Sequence, residues 1–455
     1  VSHQPLEASP SHHQHLSSLI TNDEDTDYDH DPVEPNSTPE KHFFDVHLRA
    51  ESGSDLESLI RSYNSDLFFQ QATQRADWLA NNQEVMSCLI ANLAVMVSQG
   101  AEYVVVPKAS KHYDKASVYK SSLVSKNRLN HCLKRLEECS LVSVIAGEPW
   151  SHANPSNKGA KATEVRLSDV SLSNQLQKID ASRDVIQSDD FQTIVLKSAP
   201  VKTQDWRSVT TTVVRPKAAE YPDNADIIRY RGEMFVINDH MSRSDIVYLG
   251  SHPCNKVKVK LRRIFCYEDF TKCGRLYGHY LQNVPGEERG HVRIQGHKVV
   301  DMDYSTMHLR LLYARAGVPL PAGDPFAIPG CDRATVKKAV YAILNAIKPL
   351  SRAPKDLKGR LPVGLTWPKL CAMIFERLPL VKEHAYQGIG LELMFLESQI
   401  LVEVLSQLVK LNIGFIPMHD GLLVPEPHAE IVGAIMVETY KSLVHEDIKI
   451  TRKYH

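Results

Sequence analysis

Aspartates stand at the ends of two short apolar runs in the C-terminal half of this chain, in "VVDMDYSTMHLRLLYARAG" (299–317) and in "HDGLLVP" (419–425). The first run alternates as a strand does up to Asp303, and then Leu309, Leu312, Tyr313 and Ala316 recur at helical spacing. Alternation puts Asp301 and Asp303 on one strand face. The second run, preceded by "IGFIPM", reads as a β-hairpin with Asp420 at its tip and Gly421 tolerating the positive φ of a tight turn. A carboxylate at the end of a buried strand costs several kcal/mol unless a basic group or a metal neutralises it. The commoner roles of such residues are a helix N-cap for Asp303 and a structural turn for Asp420. If the two strands are neighbours, Asp303 and Asp420 can instead hold two divalent ions. Such a pair stabilises the attacking and leaving oxygens of an in-line phosphoryl transfer. Mg²⁺ suits them, because it accepts a few carboxylates together with substrate phosphates.

Two further segments carry groups that could bind phosphate and bases. In "RATVKKAVYAILNA" (333–346), Arg333, Lys337, Tyr341 and Asn345 are spaced by four and share one gently spiralling helix face. The cations could grip a triphosphate while the ring stacks on a base. An Arg and a Lys at this spacing are also common on solvated surfaces. "CGRLYGHYLQNVPGEERGHVRIQG" (273–296) reads as a polar loop whose composition suits phosphate and groove contacts.

Taken in order, these segments resemble the polymerase core of the A-family DNA polymerases. "CGRLYGHYLQNVP" is similar to that family's TGRL…LQN-[IV]-P segment, and "DYSTMHLRLL" to its motif A, DYSQIELR. "RATVKKAVYAILNA" resembles motif B, R-x3-K-x3-[FY]-x3-Y-G. "YQG" (386–388) stands where the family has its QG segment, and "MHDGLLV" resembles motif C, V-H-D-E-L-V. Phage-type single-subunit RNA polymerases share the three motifs in looser form. The resemblance implies a right-hand fold whose palm holds two Mg²⁺ ions on Asp303 and Asp420, with Mn²⁺ as an alternative. It implies that Arg333 and Lys337 grip the incoming triphosphate and that Tyr341 packs against the nascent base pair. Arg275, Asn283, Gln387 and His419 would touch primer and template, and Arg310 would tie the palm together. His308 replaces the family's motif A glutamate, which helps exclude a 2′-hydroxyl. Asn345 replaces a tyrosine, Ala346 a glycine, and Gly421 the second acid of motif C. These changes leave the choice between dNTP and NTP open. Short spacing between motifs A and B, and from B to the QG segment, implies reduced fingers.

The elements that must position these groups make an α+β chain, with a polymerase palm preceded by a helical, winged-helix-like domain. Residues 1–40 are acidic, contain no Lys or Arg, and are expected to be a disordered tail. Without them the net charge of −1 becomes a basic remainder, which suits a nucleic-acid partner. Residues 41–180 read as the helical domain, 181–264 as a β-rich link that includes "TTTVVRP" and "EMFVIND", and 265–455 as palm and fingers. Within the helical domain, "SKNRLNHCLKRLEE" (125–138) puts Leu129, Cys132, Leu133 and Leu136 on one face and Lys134 and Arg135 largely off it. Helix, strand, basic loop and strand then follow in the order of a winged helix, with 125–138 as its recognition helix. An amphipathic helix with a solvated basic face is the plainer alternative.

No apolar run is long enough to span a bilayer, and no secretory signal is seen at the start. The eight cysteines include no CxxC pair, so a reduced cytoplasmic setting is expected, nucleoid-associated in a bacterium. The expected activity is template-directed DNA synthesis from a primer and dNTPs on a DNA template. An RNA polymerase or primase using NTPs is one alternative, and a non-catalytic winged-helix replication factor is another. The oligomeric state is not legible.

Overall fold

The computed structural model describes residues 41–68, 76–107, 124–147, 163–188, 191–199, 201–204, 211–214, 216, 218–252, 254–354, 357, 359–418 and 420–455. The acidic tail and His419 lie outside them. The chain is mixed α and β. Its first part runs β1 (Lys41–Phe43), β2 (Leu48–Ala50), α1 (Asp55–Phe68), α2 (Ala76–Ser98), β3 (Tyr103–Val106), α3 (Lys126–Glu138), β4 (Val142–Ile145) and β5 (Thr163–Leu167). It continues with α4 (Val170–Leu176), α5 (Ala181–Asp184) and β6 (Val185–Gln187). Strands β1, β3, β5 and β4 form a sheet in that order. Helix α3 starts where Ser125 accepts a bond from the Arg128 amide, and it buries Leu129, Cys132, Leu133 and Leu136. These join Val85, Met86 and Leu89 of α2 in one apolar core. Helix α3, β4 and β5 therefore follow one another, with β4 and β5 antiparallel. The loop read as basic, 152–162, lies outside the described residues.

The middle of the chain holds β7 (Ile194–Leu196), β8 (Val201–Gln204), β9 (Thr211–Val214), α6 (Ala225–Arg243), β10 (Ile246–Tyr248), β11 (Arg262–Cys266) and β12 (Asp269–Tyr277). Two expectations fail here. "EMFVIND" is helical, lying inside α6, because Ile227, Tyr230, Met234, Ile237 and Met241 bury one face at helical spacing. Asn224 caps that helix by accepting from the Ile227 amide. The β-branched cluster misleads only when the window is too short to show the period. "CGRLY" is not loop either: it is the second half of β12, paired with β11. The β11–β12 hairpin is closed by a Cys266–Cys273 disulfide, so this pair departs from the reduced cysteines expected.

The last part runs β13 (Val292–Ile294), β14 (His297–Tyr304), α7 (Met307–Arg315), α8 (Arg333–Asn345), α9 (Trp367–Arg377), α10 (Pro379–Glu383) and α11 (Gly390–Lys410). It ends with β15 (Ile416–Met418), β16 (Gly421–Pro425), α12 (Ala429–Val444) and β17 (Ile450–Tyr454). Strands β10, β13, β14, β16 and β15 lie in that order in an antiparallel sheet, and β17 also pairs with β14. The alternation of β14 sends Val300, Met302 and Tyr304 into the helical core and Val299 into a smaller core on the opposite face. Asp301 and Asp303 share the face of Val299. Among the described residues, no helix is long and apolar enough to cross a membrane.

Candidate active site

Strand β14 delivers Asp303, and the β15–β16 turn delivers Asp420. The register pairs Asp303 with Gly421, so the two carboxylates come from adjoining positions of neighbouring strands. Gly421 does not have the positive φ expected of it. Its role is close approach: a Cβ there would stand 2.5 Å from the Met302 carbonyl oxygen, closer than real Cβ contacts come. From Asp303 the chain turns through Thr306, whose φ of 57° is left-handed and uncommon for a β-branched residue. Helix α7 then starts at once, which keeps His308 near the strand end.

Burial first, and then the charge of Asp420, push the Asp303 carboxyl up to about 7, against the opposing pull of Lys337. Asp420 is raised too, first by burial and then by the charge of Glu397, with Arg275 opposing. Both carboxylates are thus disfavoured as anions by the fold alone. The Oδ1 atom of Asp303 is buried and accepts no hydrogen bond. That is the condition expected of a side chain whose partner is a bound cation.

Beside the pair lies a buried ionic cluster. Arg275 on β12 donates through Nε and Nη2 to the two carboxylate oxygens of Glu397 on α11, at 2.7 and 3.2 Å. His308 Nε2 lies 2.8 Å from the second of those oxygens. Burial would raise Glu397, but Arg275 and His308 outweigh it and hold the carboxyl at about 2. The Tyr341 ring meets the His308 ring edge-on at 5.2 Å, and Lys337 Nζ lies 5.6 Å from the Tyr341 centroid. Helix α8, capped by Asp332 accepting from the Thr335 amide, holds Lys337 and Tyr341 on the face turned to the strand ends.

Asp303, Asp420, His308, Lys337, Tyr341 and Arg275 are therefore brought into one cluster. The other residues singled out from the sequence make different contacts. Arg333 is exposed, with its guanidinium on Asp324 and over the Phe326 ring. Asn345 is buried at the C-terminal end of α8 against Gly390, where a Cβ would collide with its Oδ1. Arg310 donates to the carbonyls of Ser305 and Asp447, joining the start of α7 to the segment before β17. Gln387 is exposed and donates to the Glu383 carbonyl. Asn283 is exposed at the end of the 3₁₀ turn Tyr280–Asn283. Lys134 and Arg135 lie on α3, and both pair with Glu138.

Glu397 escaped the reading of the sequence. The signal was there: Leu393, Met394, Ile400, Leu401, Val404 and Leu405 are the buried stripe of α11, and Glu397 falls inside it. An acid in the middle of an apolar helical stripe must find a cation in the core. Alternation alone says of Asp301 only that it shares a face with Asp303. It pairs with Arg289 at 2.5 Å.

The two aspartates and the bare Oδ1 fit a hard divalent ion that completes its shell with water and substrate phosphate. Among the described residues, no three His, Cys, Asp or Glu side chains form a closed metal cage. Mg²⁺ sites in phosphoryl-transfer enzymes need only one or two carboxylates.

No protein-family model and no curated protein matches the chain. Among solved structures, it has a likeness to the POL domain of Pol1 from M. smegmatis in complex with DNA primer-template and dNTP. That likeness has a TM-score of 0.32 and 14% identity, and it covers 50% of this chain and 51% of that one. The chain thus spans about half the length of that structure. At that score the likeness assigns nothing, and the site geometry stands by itself.

Proposed function

We propose that this chain is a template-directed nucleic-acid polymerase that extends a primer by nucleotidyl transfer on a DNA template, with dNTPs as the first-choice substrate. The observation that carries the reading is the pairing of Asp303 and Asp420 at adjoining strand ends, each carboxyl raised, with the Asp303 Oδ1 bare. When bound, two Mg²⁺ ions would polarise the α-phosphate and stabilise the attacking 3′ oxygen and the leaving pyrophosphate. Asp303 and Asp420 would hold them. Lys337, which already acts on Asp303 through its charge, would meet the negative charge of the triphosphate. Tyr341, held by its edge-on contact with His308, offers an aromatic surface to the new base pair.

In this reading β14, β16 and the helices behind them form a palm with reduced fingers. The run α2, β3, α3, β4, β5 is a winged helix whose α3 contacts duplex. Support for the second part is the antiparallel β3–β5–β4 order beside a helix with a buried apolar face. The test is extension of a labelled primer-template with Mg²⁺, given dNTPs and NTPs in parallel lanes, with Asp303→Asn and Asp420→Asn as controls. Loss of extension in both variants supports the site. Extension retained in either one overturns it. The two sets of lanes decide between DNA and RNA synthesis, and omission of the primer tests initiation.

A further inference from the structure

We infer that Arg275 and Glu397 are a self-cancelling ion pair that positions the carboxylates for a divalent cation, Glu397 keeping the Arg275 guanidinium off Asp420. The inference rests on the two-aspartate reading above. Three elements meet at this pair: Arg275 comes from β12, Glu397 from α11, and His308 from α7. Glu397 is 1% exposed and Arg275 14%, so water screens neither well. The contact is two-pronged, and His308 Nε2 approaches the second carboxylate oxygen to 2.8 Å from another side.

After burial, the groups acting most strongly on Asp420 are Glu397 and Arg275, with opposite signs. A buried arginine whose charge reaches Asp420 is the natural competitor of a metal ion for that carboxylate. Held by Glu397, it is kept from turning to Asp420, and its charge is cancelled before it reaches the aspartates. Removing Glu397 alone leaves a buried cation without its partner, and the other carboxylate whose charge acts on it is Asp420, a metal ligand in this reading. Neither residue touches the reacting atoms in this scheme. Both are positioning residues.

The test is Mn²⁺ binding to the full chain, read from the loss of the free-ion signal in electron paramagnetic resonance, without nucleotide or DNA. Four variants are compared with wild type: Asp303→Asn, Glu397→Gln, Arg275→Met, and the double Arg275→Met/Glu397→Gln. Near-ultraviolet circular dichroism establishes that each is folded. The inference expects at least tenfold weaker binding for Asp303→Asn and at least fivefold weaker for Glu397→Gln. The double variant is expected to return to within twofold of wild type, because guanidinium and carboxylate leave together. Arg275→Met, which adds an uncancelled carboxylate, is expected to bind no more weakly than wild type.

Wild-type affinity in Glu397→Gln, with Asp303→Asn impaired, overturns the inference and leaves the two-aspartate site standing. Weak binding in a folded double variant overturns it as well, since the pair would then contribute more than cancellation. That arm decides the matter if Glu397→Gln alone fails to fold. No Mn²⁺ binding by wild type, or no change in Asp303→Asn, overturns the two-aspartate reading and this inference with it.

Discussion

At the β14–β16 strand ends, Asp303 and Asp420 stand half-buried at adjoining positions, and both carboxyls are pushed upward. Along α3, Lys134 is 74% exposed and Arg135 30%, and each reaches Glu138 on the same helix, at 3.7 and 2.7 Å. The charges are of the same size, and their surroundings differ. Two unit charges a few ångströms apart exchange about 1 kcal/mol in water and several times more in a protein interior. The strand-end cluster is therefore a site in which one neutralised group changes the chemistry. The helix face is a surface on which single charges matter little to the fold and act together on a polyanion. Neutralising acids at the first should change activity and stability in opposite directions, whereas neutralising bases at the second should leave stability alone.

The largest effect is expected from Asp303→Asn. Primer extension should fall at least about a thousandfold, because a carboxamide replaces an anionic metal ligand. In metal-free buffer near neutral pH the same variant should melt several degrees higher than wild type. The substitution removes repulsion from Asp420 that the fold holds in place, and the bare Oδ1 has no hydrogen bond to lose. Mg²⁺ should raise the melting temperature of wild type and not of the variant. Calorimetry with and without the ion measures both. A variant that melts lower without metal would mean that Asp303 already has a partner, and the contrast with α3 would collapse.

Next is Gly421→Ala, which leaves every charge in place and disturbs only their spacing. Its methyl would meet the Met302 carbonyl at 2.5 Å and the Asp303 Cα at 3.4 Å, so β14 and β16 must separate. A loss of about 1–3 kcal/mol in urea unfolding is expected from such overpacking. Extension should also drop, although Asp303 and Asp420 remain. Unchanged activity would show that the carboxylates tolerate displacement and that burial alone defines the cluster.

A buried ionisable group without a counter-charge sharpens the point at intermediate size. His279 is 3% exposed, stacks on Tyr280 at 4.8 Å, and accepts the Leu281 amide at Nδ1. Burial pulls its pKa from 6.5 down to about 3. Below pH 6.5 the unfolded chain therefore takes up a proton that the folded chain refuses. The stability contributed by the neutral ring is complete above 6.5 and is lost as the pH falls from there towards 3. The loss is on the order of a few kcal/mol. His279→Asn should flatten the acid limb of the melting-temperature profile over that window. An unaltered slope would mean that the ring is reached by water in solution.

How much of this was legible in the sequence depends on the range of the interaction. The helix of Leu129, Cys132, Leu133 and Leu136 could be read because its period, its cap and its buried face lie within fourteen consecutive residues. Asp303 and Asp420 could be named because a carboxylate at a strand end is conspicuous, but their adjacency depends on a strand pairing across more than a hundred residues. Glu397 is held by Arg275, 122 positions away, and no local pattern joins the two. Gly421 in the sequence suggests only freedom of φ, whereas its lack of a Cβ beside Met302 is a contact between two strands that only the folded chain reveals. Residue type alone suggests strand for "EMFVIND", and tertiary packing of α6 decides otherwise. Cys266 and Cys273 looked scattered because nothing local says that a hairpin closes between them.

The smallest effect on the fold is expected at α3, and it is what makes the comparison decisive. Lys134→Ala together with Arg135→Ala removes two side chains whose pairing with Glu138 is of the exposed, i to i+3 or i+4 kind, and such pairs contribute only tenths of a kcal/mol. Alanine also favours the helix, so unfolding stability should change by less than about 0.5 kcal/mol. A polyanion gathers such small terms differently, since each phosphate neutralised releases counterions. Binding to duplex DNA should weaken several-fold at moderate salt, and the slope of log K against log salt should fall by about one for each phosphate left without its cation. Mn²⁺ binding at Asp303 should be untouched. If DNA affinity and salt slope both stay at wild-type values, α3 is a solvated helix face and duplex must be held elsewhere. If stability falls instead by more than about 1 kcal/mol, the bases on α3 are structural, and the two regions differ less than their exposure implies.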